Sequence, residues 1–132
     1  MKILLCGSGQ YFIYFVKTLL SKGHHLTVIC PDENECTILA RETEAATIWG
    51  DPTDEELFPE VGADHHEALI TMMANDAENH VIAQLALKKY HIPKVMAMVN
   101  NPENETAFQK MGVKVTLSIP RMVSDFFEKE IC

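Results

Sequence analysis

The segment Gly7-Ser8-Gly9-Gln10-Tyr11-Phe12 follows the apolar run Ile3-Leu4-Leu5-Cys6 directly and opens a stretch of helical period. Glycines in a strand-to-helix turn let backbone amides and the positive end of the helix approach a phosphate. The same residues also serve a plain structural need, since a tight turn favours glycine for its backbone angles. Asp51 and Asp76 each sit where a helix is expected to start; an acid there either meets a ligand or simply complements the helix dipole. Metal chemistry is not expected. Cys6, Cys30, Cys36 and Cys132 form no Cys-x-x-Cys pair, and no Cys/His cluster has zinc-ligand spacing. His24-His25 and His65-His66 follow polar stretches, and neighbours on a strand point to opposite faces, so both pairs read as surface histidines. Met72, Met73, Met96 and Met98 read as filler of the core or of an interface.

These residues need a scaffold, and the alternation of short apolar runs with longer helical segments supplies one. Strands are predicted over 2–6, 26–30, 46–49, 68–72, 94–99 and 113–117, and helices over 10–21, 34–43, 54–60, 75–90, 102–111 and from about 120 to 132. The strand runs are apolar almost without interruption, as in a parallel sheet covered on both faces by helices. Successive right-handed crossovers from a central first strand give a six-stranded order of 3-2-1-4-5-6. Asn75 with Glu78 has capping-box spacing, Asn101-Pro102 marks another helix start, and Gly112 marks a stop. Ala77, Val81, Ile82, Leu85 and Ala86 form the expected buried stripe of the longest helix, leaving Lys88 and Lys89 to solvent.

The chain has 132 residues, 47% hydrophobic and 23% charged, the profile of one domain able to hold a core without disulfide or metal staples. Its formal charge of −8 offers no footprint for a nucleic-acid backbone. No apolar run nears the roughly 20 residues of a membrane span, and the N-terminal residues lack the pattern of a signal peptide. A cytoplasmic protein without direct membrane insertion is expected. The apolar residues of Met122-Val123-Ser124-Asp125-Phe126-Phe127 lie beyond the sixth strand; they either mark self-association or fold back over the sheet.

Taken in order, the glycine turn, Lys22-Gly23-His24, Gly50-Asp51-Pro52-Thr53-Asp54, the segment TMMANDAEN from Thr71 to Asn79 and Val99-Asn100-Asn101-Pro102 resemble the nucleotide-binding N-terminal domain of Trk/Ktr-type potassium-uptake regulators, the RCK or TrkA-N domain. The likeness runs over about residues 1–122. It implies a doubly wound Rossmann-like α/β fold, here a single domain over 1–132 ending in a helix over about 120–132. It also implies binding of NAD(H) or of ATP, ADP or AMP, and assembly into dimers or higher homo-oligomers that control a potassium channel or transporter subunit of the membrane. The site it implies puts phosphates on the turn formed by Gly7, Ser8, Gly9, Gln10 and Tyr11, adenosine between Cys30-Pro31-Asp32 and Asp51, and Thr71 and Asp76 near the phosphate or ribose end. A separate C-terminal sensing domain, common in the family, is outside this chain.

Four positions depart from the family pattern. Phe12 stands where the fingerprint has its third glycine, so the helix is expected to sit further from the sheet. Cys30 replaces the acid that holds the ribose hydroxyls, with Asp32 as a substitute two residues on. Gln10 and Met98 replace two arginines, removing charge-assisted partners for phosphate. Three functions therefore stand side by side: a non-enzymatic nucleotide-binding regulator of potassium uptake, a degenerate dimerisation module without ligand, and an NAD(P)-dependent oxidoreductase. The last needs a substrate site that so short a chain has little room to build.

Overall fold

The six apolar runs form β1 (Lys2–Gly7), β2 (His25–Cys30), β3 (Ala46–Trp49), β4 (Ala68–Met72), β5 (Lys94–Val99) and β6 (Val115–Ser118). The computed structural model describes residues 1–132. Every strand pairing is parallel and the order is β3-β2-β1-β4-β5-β6, as expected. Central β1 sets the register, with Leu4 opposite Thr27 of β2 on one side and Leu69 of β4 on the other. The helices are α1 (Gln10–Ser21), α2 (Glu33–Glu42), α3 (Leu57–Glu60), α4 (Asp76–Gln84), α5 (Glu105–Met111) and α6 (Ile119–Ile131).

Strand alternation divides the interior into two layers. Leu4, Cys6, Ile29 and Leu69 meet Phe58 of α3, Ile82 of α4 and Phe108 of α5 on one face. Ile3, Leu5 and Val28 meet Phe12 and Val16 of α1 and Leu39 of α2 on the other. On α4 and the wider-wound π turn that continues it over Leu85–Lys89, the buried positions are Asn79, Ile82, Ala83 and Ala86. That i, i+3, i+4, i+7 stripe corrects the expected one, which included Val81 (41% exposed) and Ala77 (exposed) and omitted Asn79.

Three further expectations give way to local geometry. Strand β6 starts at Val115 rather than 113 because Gly112, at φ +112°, closes α5 in a Schellman motif: its amide donates to Gln109 O and the Val113 amide to Phe108 O. Val113 is thereby drawn into the core. His66 is buried, not a surface residue. Its Nδ1 lies 2.9 Å from the Gly62 carbonyl, which only accepts, so Nδ1 carries the proton and Nε2 accepts from the Thr27 hydroxyl at 3.0 Å. Burial pushes this imidazole below its ordinary pKa, against the opposing pull of the Gly62 bond.

Helical cover on both faces is the third. α1 and α2 cover β3, β2 and β1 on their face and reach β4 at Ala68, leaving the far side of that face open. Over β4, β5 and β6 the same face is an apolar cleft of about 280 Å³ bordered by Tyr11, Phe15, Met72, Met96, Met98 and Leu117. Helix α6 starts at the residue after β6, without a loop to turn it back, and none of its side chains is buried. Met122, Val123, Phe126, Phe127 and Ile131 are all exposed.

Candidate functional site

The C-terminal edge of the sheet is where open α/β folds hold ligands, and the glycine turn lies there at the end of central β1. Gly9 adopts φ +98°, a conformation that disfavours a side chain, and stands at the N-cap of α1 without a side-chain cap. Its amide is taken: Gly9 N donates to Glu35 Oε2 at 2.6 Å. Glu35 lies in the first turn of α2, where its own amide donates to the N-cap Asp32 Oδ1 at 2.9 Å. Asp32-x-x-Glu35 has capping-box spacing, yet the glutamate carboxylate crosses to the neighbouring helix start instead of folding back on its own cap.

Phe12 is fully buried in the layer beneath α1. Its ring fits because Gly7 has no side chain; a Cβ there would fall 2.7 Å from Phe12 Cδ1. The ring thus uses the space freed by the first glycine of the turn. Gln10 and Tyr11 are exposed, and Tyr11 borders the apolar cleft. Of the five residues expected to hold phosphates, Gly7, Ser8, Gly9 and Gln10 stay at the turn, and Tyr11 looks the other way.

Cys30 does not stand in for the missing acid. Its side chain is fully buried, Sγ donates to Asp32 O at 3.6 Å, and burial pushes the thiol up to about 11. Pro31 and Asp51 do come together. With Trp49, Gly50 and Glu78 they border an open groove of about 510 Å³. The Trp49 indole donates to Pro31 O at 3.2 Å and remains 59% exposed. Asp51 Oδ1 accepts from the amide and hydroxyl of Thr53 at 2.9 and 2.7 Å. An exposed indole anchored at one edge offers a stacking surface for a base.

Thr71 and Asp76 serve the frame. Thr71 is buried and its hydroxyl donates to Asn79 Oδ1 at 2.6 Å. The Asn79 amide group also accepts from Met73 N and donates to Met73 O and Met98 O, tying the ends of β4 and β5 together. Asp76 Oδ1 accepts from Asn100 N at 2.7 Å and Nδ2 at 3.0 Å, and Oδ2 from Asn101 N and Asn104 Nδ2, both at 2.8 Å. Burial alone would raise this carboxyl, but those donors outweigh it and hold it below the usual carboxylate value. Four donors thus occupy both carboxylate oxygens.

Glu35, Trp49 and Asn79 escaped sequence reasoning. Signals existed for each: the spacing from Asp32, the position of the lone tryptophan beside Gly50-Asp51, and a polar residue in register with the buried stripe of α4.

Comparison with known proteins matches residues 3–119 to the TrkA-N domain. The Trk system potassium uptake protein TrkA homolog of Methanothermobacter thermautotrophicus is 30% identical over 131 residues, which cover 99% of this chain and 60% of that protein. The chain therefore spans 60% of the length of such relatives. Among solved structures, the TrkA-N domain of the inner membrane protein YbaL from Escherichia coli has a TM-score of 0.88 at 19% identity, covering 99% of this chain and 96% of that one. The GsuK channel bound to NAD has a TM-score of 0.83 at 16% identity over 95% of this chain and 22% of its own. At those identities the two structures speak for the fold. The family match extends from β1 past the end of β6, through the glycine turn and the groove beside Trp49, and on that ground the chain belongs to the TrkA-N domain family.

Proposed function

We propose that this chain is a nucleotide-binding regulatory domain that controls potassium uptake through a channel or transporter subunit of the membrane and performs no chemistry itself. The observation that carries the reading is the joint placement of a glycine turn at the end of β1 and an indole-walled groove at the ends of β2 and β3, in a TrkA-N chain whose relative is named for potassium uptake. NAD(H), ATP, ADP or AMP would lay its base against Trp49, with Asp51 beside it, and its phosphates toward the amides of the turn. No helix is long and apolar enough to cross a membrane; in this reading the membrane subunit is a separate partner, and the chain meets it on the cytoplasmic side.

Self-association belongs to the same proposal. The uncovered half of the sheet and the apolar side of α6 are two unpartnered surfaces of one chain, and a second copy covers both without new chemistry. Sedimentation should show a dimer or larger at micromolar concentration, and a persistent monomer would count against this part.

Thermal-shift titration with NAD, NADH, ATP, ADP and AMP tests the ligand. A site occupied at one hundred times its dissociation constant gains about 2.7 kcal/mol, so even weak binding at millimolar ligand raises the melting temperature. Silence from all five would favour the second reading, a dimerisation module without ligand, for which the carboxylate on the Gly9 amide is the specific support. A nicotinamide-dependent oxidoreductase is the third. It would need a free proton donor or acceptor beside the turn, where Asp32 and Glu35 already serve backbone amides.

A further inference from the structure

An anion already sits on the glycine turn, and it belongs to the protein. Gly9 N donates to Glu35 Oε2 at 2.6 Å across 26 residues of sequence, a short bond of the charge-assisted kind. In a dinucleotide fold the amides of this turn and the start of the following helix receive the phosphate. The carboxylate supplies the same chemistry: a negatively charged oxygen at the positive end of α1. Local helix capping does not account for it, because the capping-box position for Glu35 is the Asp32 amide, and the side chain goes to Gly9 instead. Its neighbours deepen the effect. Asp32 and Glu33 share the first turn of α2 and its cap, whereas Gly7 to Tyr11 contain no cationic residue to offset them.

Resting on the nucleotide reading above, we propose that Glu35 is the specificity-determining residue of this site: its carboxylate holds the phosphate position on Gly9 and turns the site toward adenine ligands of low phosphate charge. A ligand with a chain of phosphates must displace Glu35 and then lie beside Asp32 and Glu33. An adenosine or a monophosphate uses the Trp49–Asp51 groove and leaves the carboxylate in place. Alanine at position 35 frees the amide and lowers the local negative charge together, whereas glutamine removes the charge alone, its Oε1 still able to accept from Gly9 N.

The test is calorimetric titration of the parent chain, Glu35→Gln and Glu35→Ala with adenosine, AMP, ADP, ATP and inorganic pyrophosphate. Thermal melts accompany each variant, and the near-isosteric Gln keeps the test valid if Ala weakens α2. The parent should bind adenosine and AMP more tightly than ADP and ATP. In Glu35→Ala, ADP and ATP should tighten by about tenfold or more, the usual weight of a hydrogen bond to a charged group; in Glu35→Gln, whose Oε1 still accepts from the Gly9 amide but without charge, they should tighten by less, with adenosine unchanged in both. If the parent binds nucleotides and both folded variants keep its order of preference, Glu35 is not the determinant and the nucleotide reading survives. If pyrophosphate binds the variants alone and no adenine ligand binds any chain, the carboxylate does occupy an anion subsite and the nucleotide reading falls. If nothing binds the variants, both fall.

Discussion

The ring of Phe12 lies against Gly7 so closely that a Cβ on the glycine would be 2.7 Å from Phe12 Cδ1 and 2.9 Å from Met72 O. First glycine and missing third glycine of the fingerprint are therefore two halves of one packing solution. Gly7→Ala should destabilise the chain by about 1–3 kcal/mol, the usual cost of overpacking a core. Adding Phe12→Leu should recover part of that loss, because a smaller side chain yields space but the Met72 carbonyl does not move with it. Urea denaturation of the two single variants and the double reads the coupling.

Trp49 is the only tryptophan, so its fluorescence reports the groove without labelling. A nucleotide seated beside it should change its emission. Trp49→Ala should weaken adenine ligands by about 1–3 kcal/mol, the range for stacking of a base on an aromatic side chain, while Asp51→Asn should have a smaller effect.

Falling pH should lower the stability of the domain in two stages. His66 is held below its ordinary 6.5 by burial, so as pH falls through 6.5 the unfolded chain takes up a proton that the folded chain resists, and stability drops down to the lower folded value. Asp76 is held below 3.8; its bonds stabilise fully above that pH and are lost as pH falls through the lowered folded value. Asp76→Asn keeps one acceptor oxygen, now neutral, and turns the other into an amide NH2 that cannot accept from two donors; it should cost about 2 kcal/mol or more at neutral pH and should remove the second stage from a plot of stability against pH.

Cysteine labelling should separate the thiols by burial. Cys6, Cys30 and Cys36 are buried and pushed upward by desolvation, whereas Cys132 is exposed. Iodoacetamide at neutral pH should modify one thiol quickly, and peptide mass analysis should find it at Cys132. Cys30→Asp should destabilise rather than improve ribose binding, because it places a carboxylate in a fully buried position.

Self-association should respond to charge on either unpartnered surface. Phe126→Glu on α6 or Met98→Glu on the uncovered strands should shift the sedimentation profile toward monomer without lowering the melting temperature of the dilute protein. Equal oligomer size in parent and both variants would remove these surfaces from the interface.

Periodicity and punctuation along the chain determined the sheet. Continuous apolar runs such as Ile3-Leu4-Leu5 and Leu69-Ile70 demand burial on both faces, and the alternation with helical segments leaves parallel pairing with right-handed crossovers, so strand order followed before any coordinate. Caps were legible for the same reason, being local: Asn75 accepts from Ala77 N and Glu78 N, and Asn101 from Glu103 N. The family was legible through motifs at those same strand ends. What only the tertiary structure decided are the long-range polar choices. Each of Glu35, Cys30, Asp76 and His66 has a partner or a degree of burial that depends on where a distant segment crosses: Gly9 for Glu35, the body of the sheet for Cys30, the β5–α5 junction for Asp76, and Thr27 for His66. Hydrophobic burial in the central strands follows a residue's own type and its place in the period, so one dimension carries it there, whereas the α4 stripe and the exposed apolar residues of α6 were set by packing. A polar side chain's role is set by which of several reachable partners lies within about 3 Å, and that distance exists only once the chain has folded.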